Sequence, residues 1–540
     1  MHVILFLPFQ TAYSQKINAL PKLDSCLILL IFAAMDVRVR FAPSPTGGLH
    51  LGGIRTVLFN YLFAKKHQGK FIVRVEDTDQ SRHVEGAEQY IMDCLEWCGL
   101  TPDESVQHGG DYGPYRQSER KNSYLQYARQ LVGDGKAYYA FDTAEEIDAM
   151  RERLKAEGKD SLQYDHGSRM QMKNSLTLSK EETDKLLADG VPKVIRIKVD
   201  AGQELSFNDM IRGEIIMSTD TVDDKVLLKA DGMPTYHLAV VVDDHLMKIS
   251  HAFRGEEWLP SAPVHILLWQ YLFGLDKMPQ WAHLPLILKP DGNGKLSKRD
   301  GDRLGFPVYA LNWTDTTGNV TKGFKEEGFL PEAFMNLLAV LGWNDGTEQE
   351  LYSLEELIAA FDMEHVHKGG AKFDYEKAKW YNQEWIKKIP AKELLPHALN
   401  VLAAGGIEIT DEQKLEDILQ LVKERCVLLV DIYSQAGYFY QAPTEIDTVS
   451  ILPKWSEEKN KFFVDYISLL NEMDWTASSL EEAFKSLASE KNIKPGELQL
   501  PFRIMLVGQK FGPGVFEIAV RLSKEEVKAR IEKTLSLLQN

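Results

Sequence analysis

The sequence predicts a multidomain protein, with an α/β first half that contains a mixed α/β insertion and an all-α C-terminal region. Three observations support this fold class. The chain has 540 residues, which is too many for one hydrophobic core. A strand, a glycine-rich loop, a helix and a second strand follow one another between residues 37 and 76. Helical patterns dominate from about Tyr381 to the end of the chain.

The first strand–loop–helix unit is the clearest local pattern. Residues 37–41 alternate apolar side chains with arginines, which is typical of a strand. Prolines and glycines at 43–48 end that strand in a tight turn. Apolar residues then recur at helical spacing over 54–62, and residues 70–76 predict a second strand. The turn therefore lies at the C-terminal end of a parallel strand, where open α/β sheets bind ligands.

The start of the predicted helix favours a nucleotide ligand. The first N–H groups of a helix have no partner within the helix and attract phosphate. Gly52 and Gly53 are small enough for a nucleotide to lie close to the backbone. His50 belongs to the same loop, and its ring could donate a hydrogen bond to a phosphate oxygen.

The following segments complete the first half of the chain. Residues 142–235 contain a polar helix and short strand patterns, which predict a mixed α/β insertion. A helical pattern at 236–247 and a strand pattern at 249–253 then resume the α/β fold. A strand at 283–288 leads into residues 289–300, where two glycines and three lysines predict a mobile, cationic loop.

Composition narrows the class of protein less than these patterns do. The formal net charge of −17 does not favour a nucleic-acid binder, although such binding depends on local basic patches and not on the sum. Four cysteines in so long a chain suggest a reducing compartment. Cys94 and Cys98 fall on one apolar helical stripe with no histidine nearby, so we interpret them as buried core residues and not as metal ligands.

Two motifs carry a family resemblance. Residues 40–53 (RFAPSPTGGLHLGG) resemble the signature of class I aminoacyl-tRNA synthetases of the glutamyl type, whose first motif is His-x-Gly-His. Residues 295–299 (KLSKR) resemble the second motif of that family, Lys-Met-Ser-Lys-Ser. Gly53 replaces the second histidine, and Arg299 replaces the terminal serine. The other key residues of both motifs match: His50, Gly52, Lys295 and Lys298.

The resemblance implies a Rossmann-like class I catalytic domain and a division of the chain into six parts. These are an extension at 1–35, a first catalytic half at 36–141, an inserted acceptor-stem-binding domain at 142–235, a second catalytic half with the KLSKR loop at 236–304, a helical linker that contacts the tRNA stem at 305–380, and a helical anticodon-binding domain at 381–540.

The extension contains a short apolar run at residues 26–34. The run is too short to span a membrane comfortably, and the core of a signal peptide is one interpretation. Because the family begins a few residues before its first strand, we expect Met35 to be the true start and residues 1–34 to be a mis-assigned or disordered tail. We expect no membrane span elsewhere.

The resemblance also implies roles for individual residues. The implied catalytic residues are His50, Lys295 and Lys298. The implied ATP-binding residues are His50, Gly52, Gly53, Glu257, Trp258, Lys295 and Lys298. Activating a carboxylate with ATP requires positive charge around the phosphates and exclusion of water. It requires no general base, because the attacking carboxylate is already ionised.

Selecting glutamate requires a cation for its side-chain carboxylate. A guanidinium binds a carboxylate through two parallel hydrogen bonds, and Arg40 and Arg254 lie at predicted strand ends that face the cleft. The resemblance places six residues in the glutamate pocket, with Glu76 receiving the α-ammonium group: Arg40, Ala42, Ser44, Glu76, Tyr236 and Arg254. Val240 stands where some relatives have an amide, and an aliphatic side chain makes no such hydrogen bond.

We therefore expect a glutamate–tRNA ligase that forms glutamyl-adenylate and transfers the glutamyl group to the 3′-terminal adenosine of tRNA-Glu. One alternative is a non-discriminating enzyme that also charges tRNA-Gln. A tRNA-modifying glutamyl ligase and a small-molecule nucleotidyltransferase are further alternatives, but residues 381–540 disfavour both, since neither needs a helical C-terminal region. An RNA-binding module without catalysis conflicts with the retained motif residues. A glutaminyl enzyme normally carries Pro-Glu-Pro where this chain has Pro43-Ser44-Pro45.

The same resemblance implies the cofactors and partners. ATP is a substrate and brings Mg²⁺ with it. Some bacterial relatives hold a structural zinc through cysteines of the inserted domain, and residues 140–235 contain no cysteine, so we expect no zinc. The expected partners are tRNA-Glu, L-glutamate and ATP, for a monomeric protein of the cytoplasm. Arg425, Arg503 and Lys510 are among many candidate anticodon readers, and the sequence favours none of them.

Overall fold

The computed structural model describes residues 36–159 and 161–538. The predictions for residues 1–35, including the expected start at Met35, lie outside the described residues. The strands are β1 (Arg38–Phe41), β2 (Lys70–Val73), β3 (Ala137–Ala140), β4 (Val194–Ile197), β5 (Glu204–Asp209), β6 (Gly213–Ser218), β7 (Val226–Leu228), β8 (His251–Gly255), β9 (Gln280–Leu284), β10 (Ile287–Leu288), β11 (Trp313–Thr314), β12 (Val320–Thr321) and β13 (Ala371–Lys372).

Helices follow the same order along the chain. Those of the first part are α1 (Leu51–Lys66), α2 (Ala87–Trp97), α3 (Lys121–Gly133), α4 (Ala144–Ala156), α5 (Lys180–Ala188), α6 (Tyr236–Leu246), α7 (Ala262–Leu272), α8 (Lys298–Leu304), α9 (Phe324–Glu327), α10 (Pro331–Val340) and α11 (Leu354–Ala360). Those of the second part are α12 (Tyr375–Lys388), α13 (Ala391–Ala404), α14 (Glu412–Val422), α15 (Asp431–Ala436), α16 (Thr448–Ile451), α17 (Glu457–Leu469), α18 (Ala477–Glu490), α19 (Pro495–Val507), α20 (Val515–Arg521) and α21 (Lys524–Leu538).

The main sheet has six strands in the order β2-β1-β8-β9-β5-β6. All neighbouring pairs are parallel except β5 and β6, which form an antiparallel hairpin. Parallel strands require crossover connections, and α1 provides the one between β1 and β2. The apolar face of α1, with Ile54, Val57 and Leu58, is fully buried against the sheet. The strand–loop–helix–strand pattern of the sequence thus forms the core of the first half.

The insertion differs from the simple block expected at residues 142–235. Its own sheet has three antiparallel strands, β3-β4-β7, and β3 precedes residue 142. The β5–β6 hairpin pairs instead with β9 and extends the main sheet. Along the chain, β3 and β4 belong to the small sheet, β5 and β6 to the main sheet, and β7 again to the small sheet, before α6 begins.

The KLSKR stretch is partly helical. Residues 289–297 form the predicted loop, and Lys298 begins the short helix α8. The Asp300 carboxylate accepts hydrogen bonds from the Ser297 N–H (3.1 Å) and Oγ–H (2.6 Å), which closes the helix start. Helix α12 runs without a break across the boundary expected at residue 380.

The regular elements of residues 391–538 are all helices, and their apolar core around Phe462, Phe484 and Phe502 continues into α10 and α12 through Ala333 and Trp385. Cys94 and Cys98 are buried in the core of the first half, as their apolar stripe predicts. No helix within residues 36–159 and 161–538 is both long enough and apolar enough to cross a membrane.

Candidate active site

A cleft of about 1220 Å³ opens at the C-terminal ends of β1, β8 and β9. Ligands bind at this edge of open α/β sheets. Every predicted site residue except Lys298 lines it: Arg40, Ala42, Ser44, His50, Gly52, Gly53, Glu76, Tyr236, Arg254, Glu257, Trp258 and Lys295. Val240 also lines the cleft. Residues that precede the insertion in the chain and residues that follow it thus line the same cleft.

The His50 loop forms the start of α1. The Nδ1 atom of His50 accepts a hydrogen bond from the Gly52 N–H at 3.4 Å, and its Nε2 atom is buried without a partner among the described residues. A side chain at Gly52 would point into open space, whereas one at Gly53 would lie 2.7 Å from the Leu49 side chain. Gly52 therefore leaves room for a ligand above the helix start, and a side chain at Gly53 would require the Leu49 side chain to move.

His50 is neutral near pH 7. Burial, and secondarily the charge of Lys295, lowers the pKa of its imidazole to about 4. Only the Nε2–H tautomer agrees with the hydrogen bond from Gly52, because Nδ1 must accept it. The free Nε2–H is then available to a ligand oxygen in the cleft.

This pKa predicts a pH dependence of stability. Below about pH 6.5 the unfolded chain protonates His50 while the folded protein does not until about pH 4, so stability falls as the pH falls through that window. Chemical unfolding at pH 7 and at pH 5 measures this effect. Between the two pH values, the free energy of unfolding of the wild type should fall by about 1–2 kcal/mol more than that of His50→Gln. An equal loss in both proteins would contradict the assigned pKa.

The KLSKR stretch contacts the cleft through its first half. Lys295 Nζ pairs with Glu257 Oε1 at 2.6 Å, and Leu296 is buried beneath the loop. Lys298 is not among the residues that line the cleft, and its Nζ lies 3.9 Å from an Asp315 carboxylate oxygen. A partly exposed pair at this distance contributes less than about 1 kcal/mol, so Lys298 is only weakly held in this position.

A buried ion network lies beneath the cleft. Arg40 Nε and Arg74 Nη1 donate to the same Asp244 oxygen, at 3.0 and 2.8 Å. Arg74 Nη2 donates to Glu76 at 3.0 Å. Glu76, expected to receive an ammonium group, thus already holds a guanidinium, and Arg40 is already paired with a carboxylate. Such pairs fix geometry, since each charge is expensive to bury alone.

Arg254 differs from these arginines because no carboxylate in the described part of the chain lies within ion-pair distance of it. Its guanidinium instead donates to three neutral groups: His283 Nε2 at 3.0 Å, His265 Nδ1 at 3.0 Å and Tyr236 Oη at 3.3 Å. It also lies over the Trp281 ring, 4.7 Å from the centroid. Its Nη2 atom is buried and has no partner there. A buried, uncompensated cation facing a cleft matches an anionic ligand.

Aromatic side chains form one wall of the cleft. Tyr236 and Trp258 have ring centroids 4.6 Å apart, and 43 % of Trp258 is exposed. Val240 is buried and offers no hydrogen bond. This wall suits a flat ligand that stacks on Trp258.

The sequence predictions missed the residues that support the site. Arg74, Asp209, His265 and His283 are all buried around the cleft. The sequence contains one indication of Arg74, because this arginine directly follows the apolar residues of β2. A charged side chain in such a position is expected to be buried and to need an anionic partner. No local pattern indicated Asp209 or His283, because the contact between β5 and β9 joins distant parts of the chain.

Two family descriptions match the chain. Residues 36–380 match "tRNA synthetases class I (E and Q), catalytic domain", and residues 390–535 match "Anticodon binding domain". These matches confirm the α/β catalytic half and the helical C-terminal region that the motifs indicate. The second match begins after the end of α12, which joins the two regions.

Curated relatives and a solved structure agree with the family matches. The chain is 50% identical over 504 residues to the glutamate–tRNA ligase of Flavobacterium johnsoniae, covering 93% of this chain and 99% of the relative. It is 49% identical over 504 residues to that of Amoebophilus asiaticus, covering 93% and 98%. A crystal structure of a glutamate tRNA ligase from Elizabethkingia meningosepticum in complex with its amino acid has a TM-score of 0.89 and 47% identity, covering 93% of this chain and 100% of that one. The chain therefore belongs to the class I tRNA synthetases of the glutamyl and glutaminyl (E and Q) type.

Proposed function

We propose that this protein is a glutamate–tRNA ligase. It activates L-glutamate with ATP to glutamyl-adenylate and transfers the glutamyl group to the 3′-terminal adenosine of tRNA-Glu. The observation that carries the proposal is the buried guanidinium of Arg254, which lines the cleft without a carboxylate partner among the described residues. The curated relatives, named glutamate–tRNA ligases over nearly their full length, support the same activity.

The side-chain carboxylate of glutamate is the anion that Arg254 requires. Its Nη2 atom has no hydrogen-bond partner among the described residues, and a glutamate carboxylate beside it would supply both the acceptor and the counter-charge. Arg40, already held by Asp244, would add a second donor at the same wall. Glu76 remains our candidate for the α-ammonium group, next to its Arg74 contact.

ATP would occupy the part of the cleft near the His50 loop. The N–H groups at the start of α1, the neutral His50 and the open space at Gly52 suit its phosphates. Trp258 offers a surface on which the base stacks. Lys298, released from Asp315, would reach the phosphates and stabilise the charge that develops on the departing pyrophosphate.

The metal requirement follows from the substrate. No group of three or more histidine, cysteine, aspartate or glutamate residues in the described chain is arranged to hold an ion. We place Mg²⁺ on the phosphates of ATP, and because residues 140–235 contain no cysteine we propose no structural zinc.

Transfer of the glutamyl group requires the acceptor end of tRNA in the same cleft. Lys229 and Asp231 from the inserted segment line its rim, next to Arg82. We propose that the insertion guides the acceptor end and that the helical region from residue 381 onward binds the anticodon. The protein would act as a monomer in the cytoplasm.

Aminoacylation assays test the activity directly. Purified protein is incubated with ATP, with glutamate or glutamine, and with tRNA-Glu or tRNA-Gln in all four combinations. We expect glutamate on tRNA-Glu, and the tRNA-Gln reactions decide between a discriminating and a non-discriminating enzyme. Glutamate on both tRNAs would identify a non-discriminating enzyme, and charging with glutamine or with neither amino acid would overturn the proposal.

A further inference from the structure

We propose that Asp209, His283 and His265 are positioning residues that hold the Arg254 guanidinium in place while leaving its charge uncompensated for the substrate carboxylate. The proposal deepens the function proposed above and rests on it. None of the three residues lines the cleft, and each acts through Arg254.

The first arm of this arrangement is an aspartate–histidine–arginine chain. Asp209 Oδ2 lies 2.6 Å from His283 Nδ1, and His283 Nε2 accepts a hydrogen bond from Arg254 Nε at 3.0 Å. An arginine only donates, so His283 must be unprotonated at Nε2 and must carry its proton at Nδ1. The Asp209 carboxylate selects this tautomer by accepting that proton in a hydrogen bond.

Asp209 is itself fixed in orientation. Its Oδ1 atom accepts hydrogen bonds from the backbone N–H groups of Ile211 and Arg212, both at 3.0 Å. Its Oδ2 atom faces His283, and besides its contact with Nδ1 it accepts the backbone N–H of His283 at 3.1 Å. Asp209 ends β5, and the parallel pairing of Asp209 with Trp281 on β9 brings it beside His283.

The second arm repeats the same logic. Arg254 Nη1 donates to His265 Nδ1 at 3.0 Å, which requires the proton of His265 to be at Nε2. That Nε2 atom lies 3.2 Å from His237 Nδ1, which can accept it. Burial lowers the pKa of both His265 and His283, which agrees with neutral rings at both contacts.

The consequence is a guanidinium held by neutral acceptors on two of its nitrogens, with the third left for a ligand. A carboxylate in place of either histidine would hold Arg254 equally well but would cancel its charge, as Asp244 does for Arg40. The two neutral histidines therefore orient the Arg254 guanidinium without neutralising its positive charge. This makes the pocket favour an acidic side chain over its amide.

The decisive experiment is a double-mutant cycle on Asp209 and His283, with KM for glutamate as the readout. In Asp209→Asn, the N–H groups of Ile211 and Arg212 favour the carbonyl oxygen at the Oδ1 position, which turns the amide NH₂ towards His283 Nδ1. The NH₂ then also opposes the backbone N–H of residue 283, and that cost is the same whether residue 283 is histidine or glutamine. The histidine proton must then move to Nε2, where it opposes the Arg254 N–H. We expect KM for glutamate to rise 10- to 100-fold, with KM for ATP within about twofold.

Repeating Asp209→Asn in a His283→Gln protein distinguishes an effect on the position of Arg254 from a general effect on folding. A glutamine carbonyl accepts from Arg254 whatever residue occupies position 209, so Asp209→Asn should raise KM for glutamate less than threefold in that background. A purely structural Asp209 would cost the same in both backgrounds, and that result would overturn the proposal. Melting temperatures of all four proteins show whether each is folded.

A second pair of variants tests the other arm without touching Asp209, should Asp209→Asn not fold. His265→Asn keeps an acceptor near the Nδ1 position and should change KM for glutamate less than threefold. His265→Leu removes the acceptor and should raise it at least tenfold. Equal values for the two variants would overturn the proposal. Arg254→Ala separates this proposal from the proposed function. If Arg254→Ala leaves kcat/KM for glutamate unchanged, Arg254 does not bind the glutamate carboxylate. If Arg254→Ala lowers kcat/KM but the Asp209, His283 and His265 variants have no effect, only the positioning role is wrong.

Discussion

Replacing Arg254 by alanine should lower kcat/KM for glutamate about a thousandfold or more, which corresponds to roughly 3–5 kcal/mol of transition-state binding. The reason is electrostatic. The arginine is buried, and its charge has no carboxylate partner in the described structure, so the substrate carboxylate would be its counter-ion. Without it, that carboxylate would enter a buried site unpaired. Steady-state aminoacylation at varied glutamate concentration measures the effect.

Two controls make this result specific. Arg129→Ala removes an exposed arginine from α3 and should leave kcat/KM within about twofold. KM for ATP should change little in Arg254→Ala, since the guanidinium lies among Tyr236, His265 and His283. An unchanged kcat/KM for glutamate would remove Arg254 from the pocket.

Lys298→Ala should lower kcat by about a hundredfold to a thousandfold, with a smaller change in either KM. In this structure Lys298 lies beside Asp315 at 3.9 Å and outside the cleft, and that weak contact is easily broken. Its proposed role begins only when α8 approaches the phosphates, so the loss should appear in the chemical step. Single-turnover measurement of glutamyl-tRNA formation separates that step from product release.

Lys322→Ala is a suitable comparison for Lys298, because Lys322 is also a partly exposed lysine paired with a carboxylate, that of Glu327. It should leave kcat unchanged. Asp315→Asn should also be tolerated, since it frees Lys298 instead of removing it. A loss in Asp315→Asn as large as that in Lys298→Ala would mean that the observed pair, and not the lysine at the phosphates, is what matters.

Local sequence patterns predicted the elements that border the cleft. The β1–α1–β2 unit follows from the periodicity of residues 37–76, and the two motifs contain seven of the twelve predicted residues that line the cleft. Each of these signals is contained in a short stretch of the chain, so residue pattern and spacing are enough to find it.

What the sequence missed depends on contacts between distant residues. The β5–β6 hairpin was read as part of the insertion, because a strand pattern does not say which sheet it joins. The sequence analysis also did not predict that Lys298 begins a helix, although Ser297 followed three residues later by Asp300 is a capping pattern. The neutral acceptors around Arg254 come from three separate elements, β9, α7 and α6.

The hairpin has a further consequence for how this protein could be rebuilt. Because β5 pairs with β9 through Asp209 and Trp281, removing the whole insertion would also remove the carboxylate that contacts His283. A minimal catalytic fragment, or a chimera with a foreign insertion, would therefore have to retain residues 204–218 and exchange only the three-stranded sheet beyond them.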